Sequence, residues 1–479
     1  MTAALALAIC AACGRKNVEI ATNTDFPIYP DYMGVCVPVN VAPLNFHYTA
    51  DGIRKARTVV RYKDCVYAFD GREVVWDLQH WKTLLSSAEG DAISFSAEIS
   101  LKGGRKENLK WEIYVSEDRI DPYLTYRLIE PGYEVWHEVE IRERCIENFE
   151  ERAISDWKNT NNSCMNCHIH SQARADLSMF YVRGKNGGAF LNRDGEVRKL
   201  SLNAKNLISG TVYGELHPSG RYGVFSTNII IPGFHTEVNK RLEVYDKKSD
   251  LVIADFDRNE LIVPDILARK DVLETFPVFS ADGNSIYYCA ADTMPLPRDI
   301  ERLRYSLMRV SFDKETGRAG RDPETVWDAA EQKGSVCHPK CSPDGKWIMY
   351  TVADYGTFPI WHTECQLEMM NLQTGEIFNM DAVNSDRSDT YHSWSSSSRW
   401  FVFASKRGDG KYGRPYFCHI DENGQLTKPF VLPQEDPWLY ENSLRSFNIP
   451  DFSNGPVCFD AESIGQMVKE VEAVSFTVK

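Results

Sequence analysis

The stretch Ser342-Pro-Asp-Gly-Lys-Trp-Ile-Met-Tyr-Thr351 joins a tight polar turn, one long residue and an apolar strand. Three more segments follow the same pattern: His217-Pro-Ser-Gly-Arg-Tyr-Gly-Val-Phe-Ser226, Ser280-Ala-Asp-Gly-Asn-Ser-Ile-Tyr-Tyr-Cys289 and Ser395-Ser-Ser-Ser-Arg-Trp-Phe-Val-Phe-Ala404. The equivalent turn positions are 63, 62 and 53 residues apart when their numbers are subtracted, at Gly220, Gly283, Gly345 and Ser398. Such a period holds a four-stranded blade with its loops, so the repeat predicts a β-propeller.

The predicted propeller runs over residues 178–479, including a C-terminal extension, and has six blades. Met179-Phe-Tyr-Val-Arg183 opens its first blade, and Arg414-Pro-Tyr-Phe-Cys-His-Ile420 belongs to its last. A pair of β-sandwiches that share hairpin turns is the alternative, because a Ser-Pro-Asp-Gly sequence by itself only makes a good turn. Four copies of the turn with the same following strand favour the propeller.

Residues 18–155 predict a separate β-sandwich-like domain, which makes the chain all-β. Apolar and polar residues alternate in segments such as Arg57-Thr-Val-Val-Arg-Tyr62 and Leu109-Lys-Trp-Glu-Ile-Tyr-Val115. Gly and Asp separate these segments, as they separate the strands of an antiparallel sheet.

Residues 1–17 predict an export leader. Small apolar residues lead to Cys10-Ala-Ala-Cys13-Gly14, a pattern similar to a bacterial lipoprotein cleavage site at which Cys13 would become the lipidated N-terminus. An export signal normally has a Lys or Arg before its apolar run, and none stands there in this sequence. The alternative is a frayed apolar N-terminus in a cytosolic protein. We expect the cell envelope, either the periplasm or the outer membrane, with the membrane reached through the lipid anchor.

The composition is that of an ordinary folded protein, with 479 residues of which 43% are hydrophobic. A net charge of -14 would repel a phosphate backbone, so nucleic acid is excluded as an expected partner. An acidic surface is compatible with a redox or envelope protein as partner. The thirteen cysteines have no disulfide-scaffold spacing, and most are expected to be buried thiols.

Residues 156–177 are polar and predict a haem-binding linker. They contain Cys164-Met-Asn-Cys167-His168, in which two thiols can each add to a haem vinyl group while the histidine binds the iron. One covalent haem c is therefore the expected cofactor. A redox dithiol is the alternative, although no thioredoxin-like unit surrounds it. Half a zinc site, here or at Cys337-His338-Pro-Lys-Cys341, would need a second Cys/His pair.

The second axial ligand of this haem is expected to be His235. In a propeller, the loop that enters a blade and the loop between its second and third strands emerge on the same face, so His235 should lie on the haem side. Met179 and His217 are the other candidates. His170 is too close to His168 in the chain to reach the opposite haem face.

The turn repeat resembles that of the TolB β-propeller over residues 178–432. The chain as a whole resembles exported Bacteroidetes-type proteins labelled TolB-like or cytochrome c biosynthesis proteins. Besides the Cys-Met-Asn-Cys-His motif, the segments that carry this resemblance are Val41-Ala-Pro-Leu-Asn-Phe46, Arg183-Gly-Lys-Asn-Gly-Gly188, Arg241-Leu-Glu-Val-Tyr-Asp-Lys-Lys-Ser-Asp-Leu-Val252, Asn384-Ser-Asp386, Tyr391-His-Ser-Trp394 and Lys428-Pro-Phe-Val-Leu-Pro-Gln434. Tyr181 departs from the family, whose members often carry His there.

The predicted function is that of an exported c-type cytochrome which transfers electrons, with the propeller docking its partner. The alternative is an envelope scaffold or binding module without a redox role. An enzyme ranks third, because no Gly-x-Ser-x-Gly elbow is present. We therefore expect an electron carrier or binding protein without catalytic residues.

Overall fold

The computed structural model describes residues 28–130, 138–234 and 242–479. Two small sheets at the N-terminal end pack against a propeller that takes up the rest of the described chain. Within these ranges, no helix is both long and apolar enough to cross a membrane.

The N-terminal module contains a five-stranded and a three-stranded sheet, with strand orders β2-β8-β7-β4-β5 and β1-β3-β6. Its elements in chain order are β1 Ile28–Tyr29, β2 Cys36–Pro38, β3 Phe46–Tyr48, β4 Ile53–Tyr62, β5 Cys65–Asp70, β6 Glu73–Val74, α1 Leu78–Ser87, β7 Ala92–Leu101 and β8 Lys106–Ser116. Alternate side chains of β7 are buried, as expected for a strand with one face on a core.

Six sheets follow, and each is one propeller blade built from antiparallel strands. Blade 1 has β9 Tyr123–Ile129, β10 Val139–Cys145 and β11 Glu151–Asp156; blade 2 has β12 Met165–His170, β13 Leu177–Val182, β14 Gly188–Arg193 and β15 Glu196–Ser201; blade 3 has β16 Thr211–Leu216, β17 Tyr222–Phe234, β18 Leu242–Asp255 and β19 Glu260–Ile262. Blade 4 has β20 Val272–Phe279, β21 Ser285–Asp292, β22 Ser306–Asp313, β23 Arg318–Ala319 and β24 Glu324–Trp327, after which α2 covers Ala329–Gln332. Blade 5 has β25 Ser335–Cys341, β26 Trp347–Ala353, β27 Gln366–Asn371 and β28 Ile377–Phe378; blade 6 has β29 Asp389–Trp394, β30 Trp400–Ser405, β31 Arg414–His419 and β32 Phe430–Val431.

The C-terminal end of the chain closes the ring. After α3 (Leu439–Asn442), strand β33 (Ser446–Ser453) pairs with β9 and becomes the innermost strand of blade 1. The innermost strands then contact one another in the closed order β33, β12, β16, β20, β25, β29 and back to β33. Helix α4 (Ala461–Glu470) packs on β11, and β34 (Val474–Ser475) and β35 (Thr477–Val478) extend blades 2 and 3.

The prediction of an all-β chain with a six-bladed propeller is confirmed. The structure places two boundaries elsewhere than the sequence predicts. Strands β9, β10 and β11, which fall in the predicted N-terminal domain, form the outer strands of blade 1, and the predicted linker over residues 156–177 contains the innermost strand of blade 2. The cause is the long-range pairing of β9 with β33, which no local pattern in the sequence reveals.

The fourth turn of the repeat, where serines replace Pro-Asp-Gly, joins the propeller to the N-terminal module. The carboxylate of Asp121 accepts hydrogen bonds of 2.6 Å from both the amide and the hydroxyl of Ser396. Ser398 takes the left-handed φ of 59° at the glycine position, a conformation that costs a non-glycine residue roughly 1 kcal/mol. The exception in the repeat is thus explained by a contact between the two parts of the chain.

Candidate functional site in the central channel

The Cys164-Met-Asn-Cys167-His168 motif lies at the start of β12, the innermost strand of blade 2. Cys164 precedes the strand and is half-buried. The side chain of His168 is 2% exposed and lies beside β33. The motif is therefore part of the wall of the central channel, where a buried strand holds it in place.

All six innermost strands are interrupted by a β-bulge at the same level of the channel, which we call the bulge level. The register shifts fall between Asn166 and Ile169, Val212 and Gly214, Thr275 and Val278, Cys337 and Lys340, Thr390 and Ser393, and Asn448 and Asp451. In five of these strands a non-glycine residue has a left-handed φ of 29° to 52°, namely Tyr213, Phe276, His338, Tyr391 and Ile449. Strained backbone of this kind costs about 1–3 kcal/mol per residue and is concentrated at functional sites.

Four of these residues form an aromatic row along the channel wall. The ring centroids lie 4.4 Å apart for Tyr213 and Phe276, 4.3 Å for Phe276 and His338, and 4.4 Å for His338 and Tyr391. The row runs through blades 3 to 6 and does not extend to blades 1 and 2. In those two blades, Ile449 and Cys167 occupy the equivalent backbone positions. One side of the channel is thus aromatic and the side with the Cys-His motif is not.

Three histidines at the bulge level have buried ring nitrogens without a hydrogen-bond partner. His338 has none on either nitrogen, and His392 has one only on Nε2, which meets the Met349 carbonyl at 2.8 Å. A backbone acceptor at Ile449 acts to raise the pKa of His168, but neither of its nitrogens reaches hydrogen-bonding distance and angle. Burial dominates in each case and lowers the pKa to about 4 for His168 and to about 3 for His338 and His392. All three imidazoles are neutral at physiological pH, which is the form that binds metals.

The next residues along the same strands form a second, polar level, which we call the channel floor. Lys340 donates a hydrogen bond to Glu215, while Asp451 accepts bonds from the Ser393 hydroxyl and, at 3.1 Å, from the His170 amide. Burial would lower the pKa of Lys340, but the carboxylates of Glu215 and Asp451 outweigh it and raise that pKa. A cavity of about 40 Å³ lies among these side chains, which is room for about one to three water molecules.

The structure places the predicted second ligands away from the bulge level or outside the described chain. His235 falls outside the described residues, as does Cys13. Met179 is 1% exposed and packs in the apolar core of blade 2. His217 sits in a turn where its ring nitrogens bond to Ser219 at 2.8 Å and to the Gly283 carbonyl at 3.1 Å. His170 is likewise engaged on both nitrogens, by Thr125 and the Arg174 carbonyl.

Sequence reasoning did not identify His338 and His392 as channel residues, although the repeat contained the necessary signal. His338 stands four residues before Ser342, the first residue of its turn, and Tyr391 stands four before Ser395. Cys167 stands four before Ser171 in the same way. Extending the repeat alignment backward from the turns would have placed the Cys-His motif on an innermost strand.

Two side chains near the bulge level carry groups of the kind that bind haem c. A half-buried thiol at Cys164 and a neutral, buried imidazole at His168 without a good hydrogen-bond partner are the donors that haem c requires. The aromatic row supplies apolar surface in the same channel. A zinc site does not fit: burial raises the thiol pKa of Cys337 and Cys341, and the described residues contain no group of three or more ligands able to hold a metal ion.

Comparisons with known proteins find structural likeness at low sequence identity. No protein-family model matches the sequence, and no curated protein matches it either. The chain is similar in structure to hydrazine synthase from Kuenenia stuttgartiensis (TM-score 0.40, 10% identity, 67% of this chain and 48% of that one) and to the β-propeller domain of the Trilobed protease from Pyrococcus furiosus (0.34, 12%, 71% and 82%). An oligogalacturonate lyase in complex with manganese is also similar (0.37, 12%, 64% and 73%). This chain spans about half of the hydrazine synthase chain. The assignment of a β-propeller rests on the six blades and the closed ring of innermost strands in this chain.

Proposed function

We propose that the protein is a propeller binding module whose ligand occupies the central channel at the bulge level. The observation that carries this proposal is the set of buried, unpartnered imidazole nitrogens of His168, His338 and His392. Each buried polar atom without a partner costs about 1–3 kcal/mol. A ligand that engages these nitrogens would recover that cost.

Haem c is the ligand that the channel residues support best. The S–H groups of Cys164 and Cys167 would add across the two vinyl C=C bonds, so that each sulfur bonds to one carbon and its proton goes to the other, without a leaving group or a change of oxidation state. His168 would donate a nitrogen lone pair to the iron. The strained innermost strand fixes this imidazole, and the surrounding protein excludes water from it. The bound group would supply one-electron redox chemistry.

Electron transfer to a protein partner is then the role, in a chain located in the cell envelope and anchored through Cys13. The net charge of -14 favours a partner with a basic docking surface. A scaffold without a cofactor is the second candidate, and the exposed isoleucines of the β17–β18 hairpin favour it. Ile229, Ile230 and Ile231 are 39%, 41% and 36% exposed, and a partner protein could cover them.

The test is haem retention after denaturation. The exported protein, produced together with a cytochrome c maturation system, should give a haem-stained band on a denaturing gel. The Cys164→Ala/Cys167→Ala variant should lose the stain completely, whereas Cys65→Ala, which removes an exposed thiol far from the channel, should keep it. An unstained wild-type band would leave the scaffold as the remaining function.

A further inference from the structure

A pocket of about 340 Å³ lies between blades 3 and 4 and shares no residue with the bulge level or the channel floor. Blade 3 contributes the β17–β18 hairpin, and blade 4 contributes the start of β20 and residues 293–297, which lie between β21 and β22. The apolar part of the lining consists of Ile231, Tyr245, Leu273, Met294, Leu296 and Pro297. This volume and lining are typical of a pocket that binds a small molecule.

A β-bulge in β18 turns three consecutive residues toward this pocket. The pairing with β17 shifts by one residue between Ile229 and Ile230, which leaves Lys247 of β18 without a paired residue. Tyr245, Asp246 and Lys247 all line the pocket as a result, whereas successive side chains of a regular strand point to opposite faces. Tyr245 and Asp246 are buried, and Lys247 is exposed at the rim.

Asp246 differs from the other buried carboxylates in what it contacts. Its Oδ1 accepts one hydrogen bond, of 2.8 Å, from the Asn228 side-chain amide, while its Oδ2 accepts none from the described residues and retains accessible surface. Six buried carboxylates contact a Lys, Arg or His, namely Glu143, Glu215, Glu243, Asp255, Glu274 and Asp389. Asp121 and Asp451 each accept two hydrogen bonds instead. Within the described ranges, Asp246 is thus the buried carboxylate with the fewest partners.

The negative charge of Asp246 has no compensating positive charge in the described chain. Burial raises the pKa of this carboxyl to about 7, the hydrogen bond from Asn228 opposes the rise, and Lys247 does not contribute. An unpaired carboxylate is unfavourable in a protein interior, and a cation that binds against it offsets part of that cost. An ammonium group is well suited because its hydrogen bonds to a carboxylate are assisted by charge.

We infer that this pocket binds a small organic cation, whose ammonium group pairs with the Asp246 carboxylate while its apolar body fills the space between the hairpin and residues 293–297. The site is separate from the ligand of the central channel and goes beyond the proposed function. Thr293, Pro297 and Lys247 are exposed, and they mark the side from which the ligand enters. A neutral or anionic molecule of the same shape should bind more weakly, because it leaves the carboxylate unpaired.

The test compares three compounds that share a phenyl group, by isothermal titration calorimetry of the full-length protein at pH 8, above the pKa of Asp246. The cation 2-phenylethylamine should bind about tenfold more tightly than neutral 2-phenylethanol, or better, because hydrogen bonds to charged groups are the stronger ones. The anion 3-phenylpropanoate should not bind measurably. Asp246→Asn keeps an acceptor for Asn228 and removes the charge, so it should lose the preference for the cation without becoming less stable to urea. Asp250→Asn, on the same strand but outside the pocket, is the matched control and should keep the preference.

Equal affinity of the wild type for the amine and the alcohol overturns the inference, as does an amine that does not bind. An Asp246→Asn protein that keeps the preference, or an Asp250→Asn protein that loses it, also overturns it. Should Asp246→Asn not fold, Leu296→Trp decides: it fills the pocket and should weaken binding of the amine, and unaltered binding would contradict the site. None of these readings depends on haem, so the failure of the proposed function would be seen separately.

Discussion

At the bulge level, the channel wall holds imidazoles with buried, unpartnered nitrogens, whereas two or three residues further along the same strands the polar groups are paired with one another. His338 has no hydrogen bond on its ring, but Lys340, two residues later, donates to Glu215. Similarly, Asn448 keeps an unpartnered side-chain oxygen, while Asp451 accepts bonds from Ser393 and His170. Both levels combine buried and half-buried polar residues, so burial does not explain the difference.

The difference in hydrogen bonding indicates that the two levels have different roles. A fully satisfied buried network stabilises one arrangement of the strands, whereas a partly satisfied one destabilises it. We therefore assign ring closure to the channel floor and ligand binding to the bulge level. Hydrogen bonds at the floor join blade 5 to blade 3, and they join blades 2 and 6 to the C-terminal strand β33 of blade 1.

The largest expected effect follows from removing the central acceptor of the floor. Asp451→Ala deprives the His170 amide and the Ser393 hydroxyl of their partner. We expect the free energy of unfolding to fall by about 3–5 kcal/mol, because hydrogen bonds to charged groups contribute about 1.5–3 kcal/mol each. Urea unfolding at neutral pH measures the change. Asp451→Asn, which keeps an acceptor, should lose about half as much, and an unaffected Asp451→Ala protein would refute the structural role of the floor.

A histidine with complete partners should respond to pH in the opposite direction from the channel histidines. His362 in blade 5 bonds to Glu243, at 3.1 Å, and to Glu364, at 3.0 Å. Burial would lower its pKa, but the bonds to both carboxylates outweigh burial and raise the pKa to about 9. Its contribution to stability is therefore complete below about pH 6.5 and is lost as the pH rises through about 9, by at most about 3 kcal/mol.

The comparison of wild type with His362→Gln isolates this contribution from other groups that titrate at high pH. Urea unfolding at pH 6.5 and at pH 9.5 should show a smaller loss for the variant. Proton NMR should locate one imidazole that titrates near pH 9. If wild type and variant lose the same free energy of unfolding between the two pH values, the bonds of His362 to the two carboxylates do not determine the direction of its pKa shift.

The smallest expected effects are changes in the free energy of unfolding for one substitution at each of the two levels, measured in protein produced without haem. Lys340→Met leaves the carboxylate of Glu215 without its partner, and because the Lys340 side chain is partly exposed we expect a loss of about 1–2 kcal/mol. His338→Phe removes two unpartnered nitrogens and keeps the ring contacts, so stability should be unchanged or higher by up to about 1 kcal/mol. A Lys340→Met protein that is more stable than His338→Phe would reverse our assignment of the two levels.

The sequence predicted the propeller because its turns are local features that repeat. The Ser342-Pro-Asp-Gly345 turn and its three equivalents each stand between the first and second strands of a blade. Blade 1 has no such turn, since its innermost strand β33 comes from residues about 300 positions beyond β9. The turn repeat therefore does not predict that β9, β10 and β11 belong to the propeller.

The location of the site was harder to predict than its chemistry. Residues 164–170 contain Asn166, His168 and His170, whose polarity is typical of a linker, yet in the channel wall these side chains are buried. A strand that faces a polar channel lacks the alternation by which strands are recognised. The innermost strands come together only in the closed ring, so the sequence does not show which residues share a level of the channel.

The most direct test of the central claim is the mass of the exported wild-type protein, followed by mass analysis of the proteolytic peptide that contains residues 164–168. Our account predicts an increase by the mass of one haem, located on Cys164 and Cys167 of this peptide and absent from Cys164→Ala/Cys167→Ala. An unmodified peptide with two free thiols, from cells that mature other c-type cytochromes, would contradict the assignment of the bulge level as a haem site.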